Sequence, residues 1–391
     1  MAKYNAKYYM EKIKILYFVD RLGDGGGGGI QRLLLNIAKY LDKDKFQMDI
    51  LKFEKKTEKL DEKFINLGCN IYSVANLKMS PYLCFKDLNS FFKNHRYDIL
   101  HCHSSSKSSI PLFFAKKYKV PIRITHSHCS DFQTKKVFER LIGNILMIPN
   151  YFLSNHHFAC SEPAKEWMFK HWYVNKSKYE KVHILNNAID LEDYEFNIEN
   201  RIKYREELGL KKDDIVLGSV ARFREQKNHR FMIKILHECL KENDNIYLML
   251  IGSGELEEEI KKLAIEKKVY DNILFLGNRA DVNNLLSTMD VFLMPSFMEG
   301  LPFAGVEAQA AGLKCVFSKG VTKEVALTNQ VFFLDLNASI NEWVKLCADK
   351  CNLNYDRKKS ISQLRSRGYD LKNIISELSE KYMSLIYDKN R

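Results

Sequence analysis

The sequence lacks the features of a secreted or membrane-spanning protein. No stretch of its 391 residues approaches the roughly 20 apolar residues that a transmembrane helix needs. The N-terminal apolar run is short and interrupted by Lys14, and no small-residue cleavage site follows it, so no signal peptide is predicted. The nine cysteines are irregularly spaced and contain no CxxC pair, which is typical of reduced thiols. We therefore expect a cytoplasmic protein without disulfide bonds.

Common nucleotide-binding signatures are also incomplete. The glycine run GDGGGGG (23–29) is followed by no Lys-Ser or Lys-Thr, which excludes a P-loop. A dinucleotide-binding site is not favoured, because neither Asp42 nor Asp49 ends the second predicted strand. Glycines between a strand and a helix still allow a ligand to approach the backbone closely, and the helix start offers N–H groups to an anion.

Positive charge is abundant and unevenly distributed. The net charge is +12, and residues 101–150 hold 8 basic and 2 acidic residues. Such a surface suits nucleic acid, a phosphorylated ligand or an anionic membrane, although scattered lysines are also common on solvated surfaces.

Short apolar runs alternate with helix-period segments along most of the chain. This alternation predicts parallel sheets covered by helices on both faces, and it restarts near residue 200. The predicted strands are 13–19, 46–53, 70–74, 98–103, 122–128, 215–221, 246–254, 273–277, 291–296 and 314–318, and HILNNAIDLED (183–193) predicts a further strand followed by a polar turn. We predict two doubly wound α/β domains, 1–200 and 201–365, and an amphipathic helix in 366–391 that packs back on the first domain.

Nine of the 11 histidines lie between positions 95 and 183. The segments HCHSSS (101–106) and THSHCSD (125–131) each place an HxH at the end of a predicted strand, where open parallel sheets bind ligands. The side chains concerned are His101, His103, His126 and His128, with Cys102 and Cys129 beside them. A zinc site is one interpretation, and ordinary buried or surface histidines are the other.

The second domain contains a basic turn and a pair of acids. Arg222 and Lys227 flank a turn after a strand, where both cations can converge on one polyanion, although a solvated pair is the common reading of such a spacing. In EGLPFAGVE, Glu299 follows a strand and Glu307 lies in the first turns of a helix. A carboxylate can accept hydrogen bonds from vicinal hydroxyls, so the pair suits a hydroxyl-rich ligand.

Together these motifs resemble the retaining family-4 glycosyltransferases of the GT-B fold. The resemblance covers nearly the whole chain and rests on GIQRLLLNIA, RITHSH, FACSEPA, NNAID, SVARFREQKN, LIGSGE, LFLGNRADV and EGLPFAGVEAQAAG, in that order. It is closest to bacterial enzymes that build capsular, exopolysaccharide or O-antigen units. It implies two Rossmann-like domains facing an interdomain cleft, with a UDP-sugar as the expected donor.

The resemblance also implies roles for individual residues of the second domain. Arg222 and Lys227 would clamp the donor diphosphate, Glu307 would hold the ribose, and Glu299 the transferred sugar. Backbone N–H groups at Gly300 and Leu301 would bind phosphate and sugar. The base pocket would be lined by the loop that contains Asn278 and Arg279.

In the first domain the resemblance assigns fewer residues. Gly28 and Gly29 would contact phosphate and sugar, and His126 or His128 would touch the sugar near the reacting carbon. Glu299 as a covalent nucleophile is a further option.

No cofactor or essential metal is implied by the resemblance. The acceptor would be a glycan or polyprenyl-linked saccharide. Residues 135–153 would make peripheral contact with the inner face of an anionic membrane. Alternatively, these residues form an ordinary helix that covers the sheet. Nucleic acid is not an expected partner, because no motif is found that interleaves aromatic and basic residues on an exposed sheet or a groove-fitting helix. The alternatives are a sugar-nucleotide epimerase of the same fold and a non-enzymatic protein that binds zinc or nucleic acid.

Overall fold

The computed structural model describes residues 11–23, 29–53, 57–77, 79–129, 137–171, 173–348 and 356–389. The chain forms two compact units. The first comprises residues 1–187 together with 372–391, and the second comprises residues 188–371.

The first unit contains a parallel sheet of seven strands. They are β1 (Ile13–Val19), β2 (Phe46–Phe53), β3 (Asn70–Val74), β4 (Ile99–Cys102), β5 (Ile122–Ser127), β6 (His156–Ala159) and β7 (His183–Ile184). Their order is β3-β2-β1-β4-β5-β6-β7. The α-helices among the described residues before position 188 are α1 (Gly29–Tyr40), α2 (Lys59–Asn66), α3 (Pro81–Asn94), α4 (Ser109–Lys117), α5 (Val137–Leu153), α6 (Glu162–Phe169) and α7 (Lys176–Glu180).

The central strand and first helix of this unit follow from their sequences. β1 is buried at every position except Lys14, as expected for a strand covered on both faces. α1 buries Leu33, Leu34, Ile37 and Ala38, which recur at helical spacing and form one apolar stripe. The buried apolar residues of β1, β2 and β4 pack with those of α3 and α4 into one core.

The second unit contains a parallel sheet of six strands. They are β8 (Ile215–Val220), β9 (Ile246–Ile251), β10 (Ile273–Gly277), β11 (Val291–Met294), β12 (Lys314–Ser318) and β13 (Val331–Leu334), in the order β10-β9-β8-β11-β12-β13. Its helices are α8 (Ile198–Glu207), α9 (His229–Cys239), α10 (Glu257–Glu266), α11 (Val282–Thr288), α12 (Phe303–Ala310), α13 (Ile340–Ala348) and α14 (Lys359–Ser366). The last helix of the chain, α15 (Leu371–Lys389), belongs to the first unit from Lys372 onward.

The predicted α/β class with two doubly wound parallel sheets is confirmed. Two strands were missed. β6 has the sequence HHFA, whose paired histidines hide its apolar character, and β13 is a half-buried strand at the sheet edge. Among the described residues, no helix combines the length and apolar character that crossing a bilayer requires.

Candidate functional site

In the second unit, the candidate residues gather where the strand order reverses. β8 and β11 are adjacent parallel strands that pair Val291 with Leu217 and Phe292 with Gly218. In open α/β sheets, ligands bind beyond the carboxyl ends of the strands at such a switch point. The segment containing Arg222 and Lys227 follows β8, and the segment containing Glu299 follows β11.

Hydrogen bonds join these two segments. The N–H of Phe297 donates to the carbonyl of Gln226 over 2.9 Å, and the Gln226 amide donates to the carbonyl of Met298 over 2.7 Å. Asn228, in the left-handed conformation with φ 56°, donates its amide to the carbonyl of Pro295. The two loops therefore form one braced surface, which fixes the side chains they present.

Lys227 and Glu299 form an ion pair on this surface. Their side chains are 22% and 10% exposed, so the pair is largely screened from solvent. Arg222 is exposed and has no ion-pair partner in the described part of the chain. The structure therefore brings Lys227 to Glu299 and leaves the Arg222 guanidinium available to an anion.

The loop after β9 packs tightly on the segment after β8. Gly252 has φ 137°, and a Cβ there would overlap the carbonyl oxygen of Ala221. The N–H of Phe223 donates to the carbonyl of Ser253 over 3.2 Å. Only glycine permits this close approach, so LIGSGE positions the backbone next to Arg222.

Asn278 and Arg279 follow β10, at the same carboxyl edge of the sheet. The Asn278 amide donates to Ser253 Oγ over 2.7 Å. Arg279 makes two hydrogen bonds to Asp281, at 2.8 and 2.6 Å, which lower the pKa of that carboxyl to about 2. Both side chains are thus held by neighbours in the predicted base-pocket loop.

Glu307 lies in the first turns of α12, as the sequence indicates, and has no exposed surface. The Tyr194 hydroxyl donates to its Oε1 over 3.1 Å. Gly300 and Leu301 lie just before α12, and Leu301 is buried.

In the first unit, the segment before the glycine run is anchored by a buried ion cluster. The N–H of Leu22 donates to Glu58 over 2.8 Å, and the Lys52 ammonium, which has no exposed surface, contacts both Glu58 and Asp61. Gly29 is the first residue of α1. Gly28 lies outside the described residues.

The four histidines of the two HxH motifs form one array at the ends of β4 and β5. His101 Nε2 lies 3.1 Å from His126 Nδ1, and His103 Nδ1 lies 2.7 Å from His128 Nε2. The rings of His101 and His103 stack at 4.4 Å, and those of His126 and His128 lie 4.0 Å apart. His101, His103 and His126 are buried, and His128 is half-buried.

A hydroxyl chain extends the array. His101 Nδ1 lies 2.6 Å from the Tyr382 hydroxyl on α15, which lies 2.7 Å from the Tyr17 hydroxyl on β1. Burial lowers the pKa of His101, His103 and His126 well below the ordinary value, and lowers that of His128 to about 3. The rings are therefore neutral near pH 7.

Three of these rings also satisfy the spacing of a metal site. One nitrogen from each of His101, His103 and His126 lies within 4.8 Å of the others. Both nitrogens of His101 already take part in hydrogen bonds, one to Tyr382 and one to His126. The zinc interpretation stays a prediction, since neutral imidazoles suit both arrangements.

Sequence reasoning missed Tyr17, Tyr382, Tyr194 and Ser253. Ser253 lies within LIGSGE, one of the motifs that carry the resemblance. The tyrosines gave no local signal, because their partners are remote in sequence: Tyr382 is 281 positions from His101.

Two family models match the chain. The model described as glycosyltransferase family 4 matches residues 27–193, and the model described as glycosyl transferases group 1 matches residues 200–352.

Curated relatives match over nearly their whole length. The putative glycosyltransferase EpsF of Bacillus subtilis is 31% identical over 373 residues, which cover 93% of this chain and 96% of EpsF. An Escherichia coli UDP-Gal:alpha-D-GlcNAc-diphosphoundecaprenol alpha-1,3-galactosyltransferase is 26% identical, and the match covers 92% of this chain and 95% of that protein. The Staphylococcus aureus capsular polysaccharide biosynthesis glycosyltransferase CapH is 25% identical, and the match covers 95% of this chain and 99% of CapH.

Solved structures share the architecture. Anabaena Alr3699/HepE in complex with UDP-glucose superimposes with a TM-score of 0.77 at 18% identity, covering 95% of this chain and all of that one.

Proposed function

Because this chain belongs to the family-4 glycosyltransferases of the GT-B fold, we propose that it moves a sugar from a UDP-sugar to a glycan or polyprenyl-linked saccharide during synthesis of a bacterial surface polysaccharide. The relatives named for galactosyl transfer and capsule synthesis support this choice of substrates. The single observation that carries it is the braced surface at the switch point, where Lys227 pairs with Glu299 and the exposed Arg222 lies on the same segment as Lys227.

The charges of this surface suit the reaction. Breaking the bond between the sugar carbon and the phosphate oxygen leaves a nucleoside diphosphate with additional negative charge and an oxocarbenium-like sugar. Lys227 and Arg222 would stabilise the charge that develops on the diphosphate, and such interactions accelerate the reaction when they are stronger in the transition state. Glu299 orients the Lys227 ammonium and would accept hydrogen bonds from the sugar hydroxyls.

We further propose that transfer retains the anomeric configuration and needs no metal. The acceptor hydroxyl would attack the face that the phosphate leaves, its oxygen forming the new bond while its proton passes to the departing phosphate oxygen. Cationic side chains then supply the stabilisation of the leaving group that a metal supplies elsewhere.

The remaining candidate residues would complete the donor site. Glu307 would hold the ribose, and the Asn278–Asp281 loop would line the base pocket. Gly28, Gly29, Gly300 and Leu301 would offer N–H groups to phosphate and sugar. Of the two histidines, His128 is half-buried and His126 has no exposed surface, which favours His128 as the ring that contacts the sugar.

A donor panel tests this function. The protein is mixed with UDP-, GDP- and ADP-sugars, and melting temperature and slow donor hydrolysis are measured. We expect one UDP-sugar to raise the melting temperature and to be hydrolysed at an unchanged rate in EDTA, with the α-anomer retained by NMR when an acceptor is supplied. A folded protein that binds none of the sugars at millimolar concentration contradicts the proposal, and conversion of a UDP-sugar to its epimer points to the epimerase alternative.

We also propose that the first unit attaches to an anionic membrane through α4 and α5. Phe138, Leu141, Ile145 and Phe152 on α5 recur at helical spacing, and each is more than half exposed. A monomeric soluble protein rarely leaves such a stripe uncovered.

Basic residues border this stripe. α4 packs against α5 and contributes the exposed Phe113, Lys116 and Lys117, and Lys119 follows it. Apolar side chains beside lysines match the boundary between acyl chains and anionic headgroups, where each basic residue contributes about 1 kcal/mol. A lipid-linked acceptor would be reached at the same surface.

Vesicle sedimentation tests the membrane proposal. We expect binding to vesicles with 30% anionic lipid, weaker binding to neutral vesicles, and about ten-fold weaker binding to the anionic vesicles when Phe138 and Ile145 are both replaced by Ser. The matched control is Ile265→Ser on α10, which removes an equally exposed apolar side chain from the second unit. If both variants bind alike, or if the wild type binds neither vesicle, the proposal is wrong.

A further inference from the structure

The hydrogen-bond pattern around His103 defines where its hydrogen lies. The ring is 1% exposed, and its Nε2 is buried with no hydrogen-bond partner among the described residues. A neutral imidazole has one N–H and one lone pair. A buried N–H without an acceptor is destabilising, and orphaned donors are rarer than under-satisfied acceptors. The hydrogen of His103 therefore lies on Nδ1.

This assignment determines the state of His128. His103 Nδ1 lies 2.7 Å from His128 Nε2, so the His103 N–H donates and His128 Nε2 accepts. A neutral His128 then carries its own hydrogen on Nδ1. The backbone N–H of His103 donates to the carbonyl of Phe18 over 2.9 Å, which fixes the ring's position at the end of β4.

We propose that His103 is a positioning residue, which fixes His128 in the tautomer with hydrogen on Nδ1 so that the half-buried ring offers an uncharged N–H to a hydroxyl oxygen of the transferred sugar. This inference rests on the proposed function for its ligand, while the tautomer itself follows from the hydrogen bonds alone. With hydrogen on Nδ1 and with Nε2 occupied by the His103 N–H, His128 can donate a hydrogen bond to the sugar. The same ring has no free lone pair and therefore cannot act as a general base in the resting enzyme.

The neighbouring chain through His126, His101, Tyr382 and Tyr17 provides an internal contrast. The chain is oriented by the same rule, because His126 Nε2 is also buried without a partner among the described residues: His126 Nδ1 donates to His101 Nε2, and His101 Nδ1 donates to the Tyr382 hydroxyl. It makes no hydrogen bond to His128. Disturbing this chain therefore changes a buried polar group nearby without changing the tautomer of His128.

The test uses an isosteric pair of variants, His103→Asn and His103→Leu. An Asn amide can donate from nearly the same place as Nδ1, whereas Leu has the same shape and no donor. The His128 tautomer is read from long-range ¹H–¹⁵N spectra of histidine-labelled protein, with its signals assigned by their loss in His128→Gln. We expect hydrogen on Nδ1 in the wild type and in His103→Asn, and a shift toward Nε2 in His103→Leu.

Kinetics complete the test. In His103→Leu, kcat for donor turnover should fall about ten-fold while the Kd for UDP stays within about two-fold, and His103→Asn should restore kcat to within about three-fold of the wild type. Tyr382→Phe should leave the His128 tautomer unchanged.

Several outcomes overturn the inference. They are a wild-type His128 with hydrogen on Nε2, equal effects of Asn and Leu, and a tautomer shift in Tyr382→Phe. If His103→Leu does not fold, the wild-type spectrum alone decides. A wild type that neither binds UDP nor turns over a donor defeats the proposed function, and the spectrum still reports whether His103 fixes the tautomer.

Discussion

Replacing Lys227 by Ala should lower kcat/KM for the sugar donor by a factor of about 10²–10³, with the protein still folded. Lys227 lies on the braced loop after β8, and its ammonium is largely shielded from solvent beside Glu299. A cation in such a place stabilises the charge that develops on the departing diphosphate more than the charge already present in the ground state. The loss should therefore appear mainly in kcat, which steady-state kinetics with a saturating acceptor measures.

The control for this variant is Lys241→Ala. Lys241 also pairs with a glutamate, Glu238, in the second unit, but on an exposed helix end. Its removal should change neither activity nor melting temperature by a measurable amount, because exposed pairs contribute about 0–1 kcal/mol. Lys227→Arg should recover part of the activity, since the charge is kept. Unchanged turnover in Lys227→Ala would refute the assigned role.

Lowering the pH from 6.5 to 5.5 should destabilise the first unit steeply. Burial lowers the pKa of His101, His103 and His126 well below 6.5, whereas in the unfolded chain these rings protonate near pH 6.5. The unfolded state therefore binds more protons below pH 6.5, and the free energy of unfolding falls with the pH. Each of the three rings therefore lowers the free energy of unfolding by about 1 kcal/mol between pH 6.5 and 5.5, against a typical total of about 5–15 kcal/mol. His128, His156 and His157, whose pKa burial also lowers, act in the same direction.

Urea titrations at pH 7.5, 6.5 and 5.5 measure this slope, with limited proteolysis and mass spectrometry identifying the unit that unfolds. The second unit holds one buried histidine, His229, whose pKa burial lowers to about 4, so its stability should depend less on pH. Between pH 6.5 and 5.5, His126→Gln should reduce the loss of stability of the first unit by about 1 kcal/mol, and His237→Gln on the second unit should leave that loss unchanged. Equal slopes in the two units would contradict the expectation.

The sequence predicted best those helices and strands that can be recognised from their own local residue pattern. β1 and β2 were predicted at their observed bounds because buried parallel strands are continuous apolar runs. Glu307 was predicted on a helix, because Gly-Leu-Pro marks the turn before α12. Short strands were harder to predict, because they contain too few apolar residues to form a clear pattern. β7 has two residues, and β6 begins with two histidines.

Contacts between distant segments could not be predicted. The sequence indicates that Arg222 and Lys227 can converge on one anion, and this stays a prediction. It gives no sign that Lys227 pairs with Glu299, 72 positions away. The Tyr194 contact to Glu307 and the Tyr382 contact to His101 likewise depend on tertiary packing, which no local periodicity encodes. The sequence does place His101 with His103, and His126 with His128, on common faces of their strands, because side chains alternate in direction along a strand.

The return of the last helix to the first unit has a practical meaning for dissecting this enzyme. In topological terms, residues 188–371 are an insertion within a host made of 1–187 and 372–391. A stop codon after residue 187 would remove α15 from the first unit, and with it the Tyr382 hydroxyl that contacts His101. The host is better expressed as a fusion that joins residue 187 to residue 372 through a short linker, whereas the inserted unit can be excised as one continuous fragment.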